Sequence, residues 1–296
     1  MKKLIFFAIV FILVSFFAAA LPRAAETAEQ LYDKGEHQKT KDLLLKAVKN
    51  ESSKENQFEL YWRTARAVME IGNEEEEKGL GKDALISIFQ EGVSYAEKAI
   101  ASSPSRPEGY FWKSANLGRW GETKGVLESL NMAKEMRELL ITCVHMDPEY
   151  SVAWHVLGIL HERVPGGISF GDKDFSVSLA RKAIDVNESS VKKGREEEIN
   201  YGYYVELAKH LDNRNNKAAK RLKNQKKMQD PYKKNSDIFE KNCYYEASVN
   251  LKKKDDRNEA EEILTWVISE LKSIRNPTFS HISDLKDAEE ALQEMQ

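Results

Sequence analysis

A short phrase returns four times along this chain of 296 residues, and it restricts the fold more than any other feature. It reads Lys46-Ala47-Val48 then Ser52, Lys98-Ala99-Ile100 then Pro104, Cys143-Val144 then Pro148, and Lys182-Ala183-Ile184 then Glu188. Each time a small residue precedes a β-branched one, and a Pro or polar breaker follows five residues after the small one. Four helices that end alike point to stacked repeats rather than to a single closed core. Glu, Lys, Ala and Leu are abundant, whereas Gly numbers 15 and Pro 7, which favours helix over strand. The expected fold class is all-α: an α-solenoid of five to six helical hairpins, closed by a C-terminal capping helix.

The N-terminus has a separate logic. Lys2 and Lys3 precede an apolar run, Leu4 to Phe17, and Ala18-Ala19-Ala20 supplies small residues for a signal peptidase. The run is short for a bilayer span, which needs about 20 residues. Residues 1–20 therefore read as a cleaved signal peptide, and the mature chain as a periplasmic or otherwise exported protein. The alternative is an inner-membrane anchor formed by residues 4–21. No Cys stands at the cleavage point, so a bacterial lipoprotein anchor is not supported. The net charge of −3 gives no global case for nucleic-acid binding. The two cysteines lie in separate repeats, Cys143 at the small-residue position of the phrase, and are expected to be inert thiols, with a structural disulfide as the alternative.

Residues 21–56 read as a first hairpin, 57–190 as the repeat core, and 191–296 as divergent repeats with a cap. Phe58, Tyr61, Trp62, Ala65 and Met69 fall at helical spacing, followed by a polar, Gly-bounded insert from Gly72 to Gly81. A helix from Lys82 to Ser102 should then end before Pro104. An aromatic-rich helix (Tyr110, Phe111, Trp112, Leu117, Trp120) precedes a longer one carrying Leu127 to Val144. Ile238–Leu251 and Glu259–Ile274 are expected to form the last hairpin, with Ile263, Leu264, Trp266, Val267 and Leu271 inward. Ser283–Met295 is expected to cap it.

Trp154, Leu157 and Gly158, then Ala183, resemble the tetratricopeptide pattern of helix–turn–helix units. A closer resemblance spans about residues 58–187. It is carried by Tyr61-Trp62-Arg63-Thr64-Ala65-Arg66, Trp112 with Gly118-Arg119-Trp120-Gly121, Val152 to Gly158, and Pro165-Gly166-Gly167 with Gly171-Asp172-Lys173. In that order these motifs are similar to the tetratricopeptide-like group that includes the T component of periplasmic TRAP transporters and the regulator of microtubule dynamics proteins. The resemblance implies an all-helical binding scaffold without catalytic chemistry. In the transporter branch it implies a complex with a periplasmic solute-binding protein.

The residues add little chemistry of their own. His155 and His161 are six apart and do not share a helical face, and His161-Glu162 lacks the second His of a zinc protease. They read as one groove histidine and one exposed one, with no metal. Pro165-Gly166-Gly167 follows a helix and lacks Gly-Lys-Ser/Thr, so it is a turn, with Asp172 capping the next helix. Lys217 to Lys234 holds eight basic residues and one acid, but few aromatics. It reads as a solvated helix face rather than a nucleic-acid platform. No nucleophile with a nearby base can be found by spacing, so neither catalytic residues nor a cofactor are expected.

Binding is therefore the expected role. The leading reading is an accessory component of a periplasmic solute-uptake system, binding a partner protein or its small organic ligand. A cell-envelope assembly scaffold is the alternative, a hydrolase with a helical core a weaker one, and an oligomer stays open. The tetratricopeptide resemblance implies that the first helix of each hairpin lines a concave groove. That rule puts His155, Glu162 and Arg163 in the groove, with Lys113 and Trp120 as the matching stripe one unit earlier. One test concerns processing: N-terminal sequencing of the exported protein should begin at Leu21. Recovery of Met1 on protein in the membrane pellet would contradict cleavage.

Overall fold

The computed structural model describes residues 23–295. The expected signal peptide, 1–20, and the alternative anchor, 4–21, therefore lie outside the described residues. Within these there are thirteen α-helices and no strand. None of the helices is long and apolar enough to cross a membrane.

The order is α1 (Arg23–Tyr32), α2 (His37–Val48), α3 (Lys54–Glu77), α4 (Lys82–Ser102), α5 (Pro107–Lys124), α6 (Val126–Met146), α7 (Ser151–Arg163) and α8 (Lys173–Lys192). There follow α9 (Tyr201–Arg214), α10 (Ala218–Lys234), α11 (Ile238–Asn242), a 3-10 turn at Tyr245–Ser248, α12 (Asp256–Ser273) and α13 (Phe279–Glu294). The first eight helices pack as four successive hairpins, and α9 pairs with α12 as a fifth. The cap, α13, lies against α12 and α9. The chain is the all-α solenoid that the repeated phrase requires.

The phrase places the ends of α2, α4 and α6 as expected, but not that of α8. Glu188 lies inside α8, which continues to Lys192 and stops before Gly194, whose φ of +67° suits glycine. Glu is a good helix former, and here its carboxylate takes hydrogen bonds from Lys192 and the Tyr204 hydroxyl. The insert expected from Gly72 to Gly81 is likewise helical as far as Glu77. Gly72 is there for packing, since a Cβ at that position would run into the Phe89 ring.

The main core runs from α5 to α13, and a smaller cluster of Ala25, Ala28, Leu44 and Leu60 joins α1, α2 and α3. Trp154, Leu157, Val177, Leu179, Ala183, Leu211 and Leu264 are all fully buried in one apolar cluster. The Trp154 indole N–H donates to the Pro148 carbonyl at 3.0 Å, so the largest core side chain leaves no polar atom unused. Cys143 and Cys243 are both buried free thiols.

The C-terminal third departs from the expected hairpin. Ile238–Leu251 is only the short α11 and the 3-10 turn, and α12 pairs with α9 instead. The buried stripe of α12 is Ala260, Leu264, Val267 and Leu271. Trp266 is not inward: it is partly exposed and lies over Tyr201 and Tyr204. The basic run also divides. Arg221 is 2% exposed, with its guanidinium on Asp256 and Glu259, whereas most of the lysines of α10 face solvent.

Arg221 belongs to a buried ion network. Arg214 binds Asp256 through two hydrogen bonds of 2.8 Å and Glu246 through bonds of 2.6 and 3.1 Å. Arg181 reaches Glu246 at 3.1 Å and Glu259 at 3.0 Å. Burial opposes ionisation of Glu246, yet the Arg181 charge and the Arg214 hydrogen bonds hold its carboxyl below the ordinary value. Glu259 is lowered the same way against its own burial, by Arg181 and Arg221.

Two stability tests follow from this packing. Leu157→Ala should cost about 2–5 kcal/mol in urea unfolding. Lys226→Ala on the exposed face of α10 should stay within about 0.5 kcal/mol; equal effects would contradict a core running through α7. In acid, the lowered Glu246 and Glu259 groups contribute stability that is complete above their ordinary value near 4.5 and lost as pH falls through the depressed native values. Melting temperature should therefore fall steeply below about pH 4.5. Glu246→Gln should flatten that fall while lowering stability at pH 7, because it leaves Arg214 and Arg181 short of a counter-charge.

Candidate functional site

A cleft with mainly apolar walls lies where α7 meets the α5–α6 hairpin. Gly125, at φ +122°, makes the turn between α5 and α6. Gly118 and Gly121 let the two helices approach closely: added Cβ atoms would come 2.9 Å from the Met136 methyl and 3.1 Å from the Ser129 Cα. Gly118, Gly121, Met132 and Met136 themselves border a cleft of about 380 Å³. Met69, Trp112, Leu130, Met132, Met136 and Ile159 are among its walls. Methionines line it on several sides, and their flexible thioethers adapt to irregular apolar shapes.

The polar groups of the cleft are concentrated at its mouth. Arg119 donates to Glu122 Oε2 at 2.6 Å, and Arg163 donates to Glu122 Oε1 at 3.3 Å. Arg119 also holds Asn73 Oδ1 at 2.8 Å and the Glu76 carboxylate. Glu122 thus stands between two guanidinium groups, one of which, Arg163, is largely exposed. The arrangement can take an apolar chain or side chain and offer two Arg groups to an anionic end.

The five residues expected to line one groove are distributed over different places. Arg163 is at the cleft mouth. Lys113 is held between Glu97 of α4 at 3.1 Å and Glu135 of α6 at 3.0 Å, and so ties neighbouring helices together. Trp120 has its indole nitrogen buried and its ring under Lys124, 4.9 Å from the centroid. His155 and Glu162 are turned toward α9. The His155 ring stacks on Tyr203 at 4.5 Å, and burial lowers its pKa to about 4, so it is neutral near pH 7. Glu162 lies 2.6 Å from His210 Nδ1 and accepts from Asn213.

The shared groove was an implication of the tetratricopeptide resemblance, and α9 packs against that side of α7. His161, expected to be exposed, is 2% exposed and packed by Phe170 and Phe175. Asp172 caps α8 as expected, accepting from the backbone N–H groups of Asp174 at 2.8 Å and Phe175 at 3.0 Å. Sequence reasoning missed the role of Glu122, the methionine walls, and the partners Glu206 and His210. The four-residue spacing of Glu206 and His210 was the available signal for the last two.

The family model described as regulator of microtubule dynamics protein 1-3 matches residues 24–165. That span runs from α1 to the end of α7 and contains every residue of the cleft and its mouth. It begins earlier and stops earlier than the motif resemblance over 58–187, leaving α8 to α13 outside. No curated protein matches the chain significantly.

Proposed function

We propose that this protein is an exported, non-catalytic helical-repeat scaffold of tetratricopeptide type that holds an apolar ligand, or the apolar segment of a partner, in the cleft between α5, α6 and α7. The observation that carries this reading is the cleft itself: about 380 Å³ of space with apolar walls and two arginines at its mouth. Filling such a cavity removes apolar surface from water at roughly 25 cal/mol per Å². The Arg119–Glu122–Arg163 rim then selects for a carboxylate at the near end, because a guanidinium and a carboxylate form paired hydrogen bonds.

The match over residues 24–165 supports a binding module, since it covers the cleft-forming helices as one unit. The basic–apolar–small order of residues 1–20 supports export. Export and the motif resemblance together favour an accessory role in a periplasmic solute-uptake system, in which the scaffold passes its ligand to or from a solute-binding protein.

A fluorescent long-chain carboxylate, cis-parinaric acid, provides the test. The purified mature protein should bind it, and Ala133→Trp, which fills the cleft, should abolish binding without loss of helicity. Arg163→Glu should weaken it about tenfold, equivalent to about 1.4 kcal/mol. Glu122→Gln should strengthen it, because both guanidinium groups lose their internal competitor. Full binding in Ala133→Trp would place the working surface elsewhere.

A further inference from the structure

The side of α7 turned away from the cleft mouth carries a second constellation. Glu206 and His210 stand four residues apart on α9 and therefore share a face. Glu162 projects toward them from α7. One ligating atom from each of the three lies within 4.8 Å of the others. His210 is 1% exposed. Its Nδ1 is 2.6 Å from Glu162 Oε2, yet neither ring nitrogen has a hydrogen-bond partner in workable geometry. Buried imidazoles normally use at least one nitrogen, so this ring is poised toward the carboxylates without being satisfied by them.

The surroundings orient all three groups. The Nε2 side of the His210 ring rests on Gly158 of α7, where an added Cβ would come 3.6 Å from that nitrogen. Nδ1 is thus the free edge. Asn213 donates to Glu162 Oε1, which leaves Oε2 for the shared space. Lys209 donates to Glu206 Oε1 at 2.8 Å. Partners that fix ligand orientation in this way are typical of built metal sites. The two carboxylates and one imidazole also carry a net negative charge that a dication would balance.

We propose that Glu162, Glu206 and His210 form a site for a divalent transition-metal ion, Zn²⁺ in particular, that staples α7 to α9. The donor set selects the ion. Mg²⁺ and Ca²⁺ prefer oxygen donors throughout. Zn²⁺ takes mixed nitrogen and oxygen ligands in tetrahedral geometry, and three protein groups leave one position for water. The expectation that the chain holds no metal rested on His155, His161 and Glu162 read along one helix. The relevant histidine is His210, whose ligand partners are Glu206 on its own helix, α9, and Glu162 on α7. This site does not depend on the occupant of the cleft.

The test uses the mature protein after EDTA treatment and dialysis. Titration calorimetry with ZnCl₂ should show one ion per chain with Kd at or below about 10 μM, and Zn²⁺ should raise the melting temperature. Co²⁺ in its place should give visible absorption of a tetrahedral site. His210 is wholly buried and its replacement could unfold the chain, so the half-buried carboxylates carry the argument. Glu206→Gln and Glu162→Gln should each weaken Zn²⁺ binding at least tenfold, with the absorption lost. Glu261→Gln on the exposed face of α12 should bind like the parent. No binding below about 1 mM, or binding equal in parent and Glu206→Gln, overturns the proposal.

Discussion

The C-terminal half of the molecule is organised by three buried guanidinium groups. Arg181, Arg214 and Arg221 come from α8, α9 and α10, and their counter-charges Glu246, Asp256 and Glu259 come from the 3-10 turn and α12. None of these six charges could be buried alone, since a desolvated ion without a partner costs several kcal/mol. The network therefore requires α9 and α12 to lie side by side. It also requires the chain between them to loop out as α10, α11 and the 3-10 turn. Asp256 adds a backbone contact, accepting from the Asn216 N–H at 2.8 Å where α9 has just ended. A solenoid whose last regular pair is locked by charge has a fixed end on which α13 can sit as a cap.

This dependence explains which parts of the fold were legible in the sequence. The repeated phrase reports local helix ends, and it located α4 at Lys82–Ser102 because Gly81 and Pro104 are local signals. Pairing is not local. Ile238–Leu251 had the apolar content of a helix, and nothing in its spacing told that Glu246 would be drawn inward by two arginines. Arg221 was hidden for the same reason. Within a run of eight basic residues it reads as one more solvated charge, and only Asp256 and Glu259, 35 and more residues later, give it a buried place.

The candidate site was legible to a similar depth. His155 and Glu162, expected together in the groove, are both turned from α7 toward α9. The rule that the first helix of a hairpin faces an open groove failed for that side of α7, because α9 covers it. Arg163, one residue further round the helix, escapes the cover and reaches the cleft mouth. The cleft is bordered by the glycines at 118 and 121, where α5 and α6 approach closely. Glycine in a helix is readable as a close approach, but the volume left beside that approach is a property of three helices together.

The short helix α7 consequently serves three surroundings at once. Val156, Ile159 and Arg163 border the cleft. Trp154 and Leu157 fill the core. His155 and Glu162 meet α9. A helix of 13 residues has little more than three turns in which to arrange this, so its stripes are adjacent. Rigid packing of this kind transmits displacement, since a close-packed core does not deform gradually. A displacement of Ile159, which borders the cleft and is not exposed, is resisted by the rest of the helix. The groups that resist that movement are Trp154 in the core and Glu162 against His210. The position of α7 between the apolar cleft and the Glu–His constellation is thus the point at which the matched N-terminal half meets the ion-locked C-terminal half.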